Sequence, residues 1–149
     1  MPIRVIGTTG KLVTIEVLGI AEVIRRIREA GQTIKDSADL GVVQAGGYVE
    51  EELKESIGGT RVIPQAVDTG LLANSIQFFK TGYGLGVVKS NPTNYPNSNV
   101  STKDTAIFVE YGTTKYPFPR PHFSNTADRT KDEVKRIIAD EIKRNQKFL

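Results

Sequence analysis

Asp68, Glu110, His122, Ser75 and Ser124 are the side chains of this sequence whose types could carry out hydrolytic chemistry. Two carboxylates facing one cleft can divide the work of general acid and general base. Asp68 and Glu110 would be that pair. No histidine or metal-ligand cluster accompanies either, so structural roles are the expectation for both. Asp68 stands before Thr69-Gly70-Leu71-Leu72 and suits a helix N-cap, where its carboxylate accepts free backbone N–H groups and meets the positive end of the helix. Glu110 is expected at a strand end, in an ion pair or accepting N–H groups from the Gly112 turn. His122 follows Pro121 at a helix start and is expected on the surface or in packing, not as a general base. Ser75 and Ser124 have no partner pattern for nucleophilic catalysis. The chain has no cysteine, which removes disulfides, thiolate nucleophiles and cysteine metal sites, and its one histidine removes the usual zinc-hydrolase spacing. Gly82-Tyr83-Gly84-Leu85-Gly86 lacks both a following helix pattern and the Gly-Lys-Ser/Thr ending of a phosphate loop, so its glycines read as those of a strand or hairpin. The expectation is a chain with no catalytic residue, no cofactor and no metal.

The elements around these residues follow from spacing. Arg4–Ile6 and Leu12–Val17 are β-branched runs flanking Gly7-Thr8-Thr9-Gly10, which predicts an N-terminal hairpin over 3–17. From Ile20 to Ile57 apolar residues recur every three or four positions. Ile20, Val23, Ile24, Ile27, Ala30, Ile34, Ala38, Ala45, Val49 and Ile57 would share one helical stripe. Gly41, Gly46 and Gly47 weaken its centre, giving one long helix or two in series, or a place where another chain comes close. Gly58-Gly59 ends it. A capped turn at 68–75 then leads into strands at Ile76–Phe79 and Gly84–Val88. Residues 89–105 are rich in proline, asparagine and serine and read as a long exposed loop that orders on docking. Ala106–Tyr111 has strand composition. Pro117, Pro119 and Pro121 hold an extended exit, with Pro121 as the first residue of a last helix whose stripe is Phe123, Ala127, Val134, Ile138 and Ile142.

With 149 residues, 38% hydrophobic and 25% charged, the chain suits one folded domain over 1–149. No run approaches the roughly 20 apolar residues of a membrane span, and the N-terminus lacks the pattern of a secretion signal. Net charge is +3 but uneven: −2 up to Ile57, +1 to Thr114 and +4 from Lys115 onward. An acidic front and a basic tail suit head-to-tail contact between copies, and the tail would also suit nucleic acid.

Two segments are more specific. One is Val67-Asp68-Thr69-Gly70-Leu71-Leu72-Ala73-Asn74-Ser75-Ile76. The other is Val109-Glu110-Tyr111-Gly112-Thr113, which runs through Thr114, Lys115 and Tyr116 into Pro117-Phe118-Pro119-Arg120-Pro121. In this order, between an amphipathic helix and a charged C-terminal helix, they resemble the tail-completion (head–tail joining, neck) proteins of long-tailed bacteriophages. Ala73 stands where that family usually has a basic residue. The resemblance implies a noncatalytic virion protein that forms a homo-oligomeric ring, six-fold, at the neck between tail and DNA-filled head. It implies neighbouring neck, tail-terminator or tail-tube proteins as partners, DNA nearby without sequence-specific binding, no membrane, and the host cytoplasm as the place before assembly. The motif residues it singles out are Asp68, Thr69, Gly70, Ser75, Glu110, Tyr111, Gly112, Thr113, Pro117, Phe118, Arg120 and Pro121. Arg136 and Lys143 are added as the charges of the assembling tail. A tail terminator capping the tail tube, a basic nucleic-acid-binding module and a small hydrolase using Asp68 and Glu110 are the alternatives. The expected fold is α+β, a small antiparallel sheet packed against a long N-terminal helix and a C-terminal helix.

Overall fold

The computed structural model describes the backbone of residues 3–6 and 14–17, and residues 31–59 and 70–146 in full. Strands β1 (Ile3–Ile6), β2 (Thr14–Val17), β3 (Ile76–Gly82) and β4 (Leu85–Ser90) form one antiparallel sheet in the order β1-β2-β4-β3. Ile3 pairs with Val17 and Ile6 with Thr14, and β2 then lies along β4 with Thr14 opposite Lys89. Among the described residues four helices accompany it: α1 (Gln32–Ile57), α2 (Leu71–Ser75), α3 (Thr102–Tyr111) and α4 (His122–Gln146). The architecture is α+β, with the sheet against the long N-terminal helix and the C-terminal helix, as the spacing predicts.

From Gln32 onward α1 is one unbroken helix. Gly31, with φ 100°, stands at its start, and Gly58 and Gly59 end it. The predicted stripe holds along it: Ile34, Ala38, Ala45, Val49 and Ile57 are buried, joined by Val42 and Leu53. Its earlier members, Ile20 to Ala30, lie outside the described residues. The central glycines do not break the helix because packing compensates for their weak propensity. At Gly41 the backbone of α4 comes so close that an added Cβ would sit 3.0 Å from Ile138 Cα. Helix α4 presents Phe123, Ala127, Thr130, Val134, Ile138 and Glu141 to the interior, spaced by three and four. Each large apolar side chain in that stripe contributes roughly 1.5–3 kcal/mol by leaving water.

The glycine-rich segment is the β3–β4 turn. Its tip is latched to α1 by two carboxylates: Tyr83 Oη donates to Asp36 Oδ1 at 2.6 Å, and Gly84 N donates to Asp39 Oδ1 at 2.7 Å. Lys80 pairs with the same Asp39. Desolvation, with the hydrogen bond to Asp36 next, pushes the Tyr83 hydroxyl up to about 12. Carboxylates already hold this turn, the reverse of what a phosphate cradle needs.

Two expectations are corrected. Ala106–Tyr111 is not a strand but most of α3, and the loop is not 89–105, because Lys89 and Ser90 belong to β4 and the helix begins at Thr102. The cause is a capping box. Asp104 N donates to Ser101 Oγ at 3.2 Å, and Ser101 N donates to Asp104 Oδ2 at 3.0 Å. These bonds satisfy N–H groups that a new helix leaves open. Thr102, Ala106, Val109 and Glu110 then fall on one buried face. Burial of that face outweighs the strand propensity of Ile107, Phe108 and Val109. The loop that remains, 91–101, is exposed but internally bonded, with Asn94 bridged to Ser101 and Tyr95 N donating to Val100 O at 3.0 Å.

The capping box carries a pH signature. The Ser101 side chain, then its backbone N–H, holds the Asp104 carboxyl below its ordinary value of 3.8. A pKa depressed by folding adds stability above the unfolded value and loses it as pH falls through the folded one. Ser101→Ala should cost about 1 kcal/mol at neutral pH. Urea titrations should show the gap from the parent narrowing as acid protonates Asp104. A gap that stays constant through the acid range would exclude this cap.

Candidate assembly site

The two motifs meet through a relay of side-chain caps. In the first, Gly70 (φ 70°) stands at the start of α2, and Leu72, Ser75 and Ile76 are buried. Val67, Asp68 and Thr69, with the expected cap at Asp68, lie outside the described residues. Ser75 closes the short helix: its Oγ donates to Leu72 O at 2.7 Å and lies 2.8 Å from Ser90 Oγ on β4. Asn91 then joins the first motif to the start of α3, the helix that carries Glu110. Its N–H donates to Ser75 O at 2.7 Å, and its carbonyl accepts from Thr102 Oγ1, at the start of α3, at 3.0 Å.

Glu110 sits near the other end of α3, and its position corrects the expectation. It lies on the inner face of a helix, only 2% exposed, and it accepts from the start of α4, not from the Gly112 turn. Phe123 N donates to Oε2 and Ser124 N to Oε1, both at 2.9 Å, and Ser124 Oγ also donates to Oε1. A carboxylate here meets the positive end of a 25-residue helix and occupies donors that the helix cannot satisfy itself. Both oxygens are engaged, and the arrangement ties α3 to the start of α4. Ser124, which the sequence reading left without a nucleophilic role, is one of the donors. His122 is buried, and its Nδ1 lies 2.8 Å from Ser56 Oγ at the end of α1. It belongs to packing, one of the two roles expected of it. Among the described residues no group of histidine, aspartate or glutamate side chains could hold a metal ion.

Gly112 ends α3, not a strand. Its φ of 76° with ψ of 178° is open to glycine alone, and an added Cβ would meet Tyr116 O at 3.1 Å. From there the chain closes a small loop. Thr113 N donates to Tyr116 O at 2.8 Å, Tyr116 N donates to Thr113 Oγ1 at 3.0 Å, and Arg120 N returns to Val109 O at 2.7 Å. Pro121 precedes α4 instead of opening it, and its carbonyl accepts from Asn125 N at 3.0 Å. The loop holds its aromatic side chains outward: Tyr116 is 66% exposed and Phe118 84%, with the Lys115 ammonium 5.4 Å from the centre of the Tyr116 ring. Phe108 and Tyr111 on the outer face of α3 are also exposed. Desolvation, then the Glu110 charge, pushes the Tyr111 hydroxyl above its ordinary value.

The tail charges are placed differently. Arg136 is engaged on its own helix: Nε donates to Glu133 Oε2 at 2.8 Å and NH1 to Asp140 Oδ2 at 3.3 Å. Lys143 is exposed in the last turn. The sequence reading missed Glu141, buried between α1 and α4, where it accepts from Gln44 Nε2 at 3.1 Å and pairs with Arg144 at 3.0 Å. Its spacing of three from Ile138 was the available signal. The reading also missed Phe108, which helical spacing turns away from Val109 and Glu110.

No protein-family model matches this chain, and no curated protein or solved structure does.

Proposed function

We propose that this chain is a noncatalytic structural protein of a tailed-phage or prophage virion, a tail-completion subunit that forms a ring at the neck. The observation that carries the reading is the inversion of polarity in the second motif. Its carboxylate, Glu110, is buried as a cap, while its aromatic side chains, Tyr111, Tyr116 and Phe118, face water. A solvated loop has the opposite arrangement, and a cluster of exposed apolar side chains on a pinned backbone suits contact with another protein. The motif residues position elements: Ser75 and Asn91 tie α2 to α3, and Glu110 ties α3 to α4. The resemblance of both segments to neck proteins supplies the place of action.

A nucleic-acid module is less favoured because at least four of the nine basic side chains from Lys115 onward are already paired with carboxylates. Arg129 pairs with Glu52, Lys135 with Asp132, Arg136 with Glu133 and Asp140, and Arg144 with Glu141. Gold-labelled antibody on purified particles should mark the junction of head and tail. Particles assembled without the chain should separate into filled heads and free tails. Normally joined virions lacking it, or turnover of a substrate by the purified chain, would overturn the reading.

A further inference from the structure

The aromatic loop has a counterpart on the opposite class of surface. On the solvent side of α1, Leu40 is 47% exposed and Val43 39%, both large apolar side chains of a soluble-facing helix. Gly47 lies one turn beyond Val43, and an added Cβ there would meet nothing within 4 Å. Glu51, one turn further, is exposed. Residues 40, 43, 47 and 51 fall on one face of a helix. That face is therefore an apolar ledge, a notch and a negative charge in sequence. The loop carries the matching features in a similar span: Lys115, then Tyr116 and Phe118 with proline between and after them. Four helical residues rise ~6 Å, within the reach of three residues of extended chain.

We infer that the 112–121 loop of one copy docks on this face of α1 in the next copy, with Phe118 over Gly47 against Val43 and Leu40, and Lys115 toward Glu51. The inference rests on the ring reading above and names its contact. A second copy is the occupant because both surfaces are exposed on the same molecule and their charges oppose. The segment up to Ile57 carries −2 and that from Lys115 onward +4. Two different faces in contact make a heterologous interface, the kind that closes a ring. The apolar seat supplies adhesion. The exposed charge pair sets orientation and encounter rate more than affinity. Proline on both sides of Phe118 limits the conformations lost on docking.

The chain lacks cysteine, so the contact can be tested without background. Phe118→Cys and Gly47→Cys both fall on open surface and leave the packing untouched. Mixed at millimolar concentration and treated with a short bismaleimide, the two variants should cross-link to each other roughly tenfold faster than either does to itself. Phe118→Ala should raise the concentration for half-assembly by about tenfold with an unchanged Tm. Equal self-cross-linking of either variant, or a mixture that does not cross-link, overturns the contact. Failure of Gly47→Cys to label in the monomer also does so, because a segment of the same chain would then cover the ledge. Rings seen by electron microscopy beside a silent mixture would remove this contact and leave the structural reading standing. Cross-linking by a chain absent from virion necks would do the reverse.

Discussion

Glu110→Ala is expected to lower the stability of the fold by about 3 kcal/mol, a fall in Tm of roughly 10 °C for a chain of this size. The substitution strips the acceptor from two backbone N–H groups, Phe123 and Ser124, and from the Ser124 hydroxyl. Phe123 is 1% exposed, so water cannot replace the lost partner at low cost. The helix also loses the charge that its positive end favours. Glu110→Gln separates these effects. Its carbonyl can serve one N–H, but its amide presents donors to the other, so it should recover only part of the loss, leaving a cost of about 2 kcal/mol. Denaturation followed by circular dichroism measures both. Hydrogen exchange at the Phe123 and Ser124 amides should accelerate before the rest of α4 opens. The competing expectation is specific: a hydrolytic Glu110 would give an alanine variant that folds normally and loses a turnover. A Tm unchanged by Glu110→Ala would remove the cap.

What could be read from the residues divides along physical lines. The stripes of α1 and α4 were legible because a long amphipathic helix repeats its signal over many turns. The β3–β4 hairpin was legible from strand composition on both sides of a glycine turn. Helix α3 was not, because Ile107, Phe108 and Val109 have strand propensity and the deciding information is in Ser101 and Asp104, within what reads as loop. Once α3 is a helix, Glu110 turns inward and Phe108 outward, so one error in period misplaced Glu110 and hid Phe108. The resemblance singled out Glu110, Gly112, Phe118 and Pro121 without saying what they touch. Their roles depend on the meeting of α3 with α4, a long-range contact that local pattern does not encode. The choice between one helix and two around Gly41 and Gly46 stayed open in the sequence for the same reason, since the compensating atoms belong to Ile138 and Phe78.

Those glycines yield the second large effect, and neighbours should respond with opposite signs. Gly46→Ala would place its Cβ 2.2 Å from Phe78 Cδ2 and 2.6 Å from Cγ, a distance that no small adjustment relieves. The ring is also seated over Gly86 of β4, where an added Cβ would meet its Cε2 at 2.2 Å; two glycines leave the space it fills. The strand is held too: Phe78 N donates to Glu50 Oε2 of α1 at 2.7 Å. Alanine gains about 1 kcal/mol of helix propensity over glycine. Overpacking against a fixed ring costs more, leaving a net loss of about 2 kcal/mol. Gly47→Ala, one residue on, meets open space and keeps the whole gain, a rise of about 1 kcal/mol. Combining Gly46→Ala with Phe78→Leu should recover much of the loss, and the double-mutant cycle isolates the contact because both changes act on one space. Equal effects of alanine at 46 and 47 would mean that the sheet does not lie on α1 through this ring. The register of the hairpin on the helix, and the outward placing of the Gly47 face that it fixes, would then both be lost.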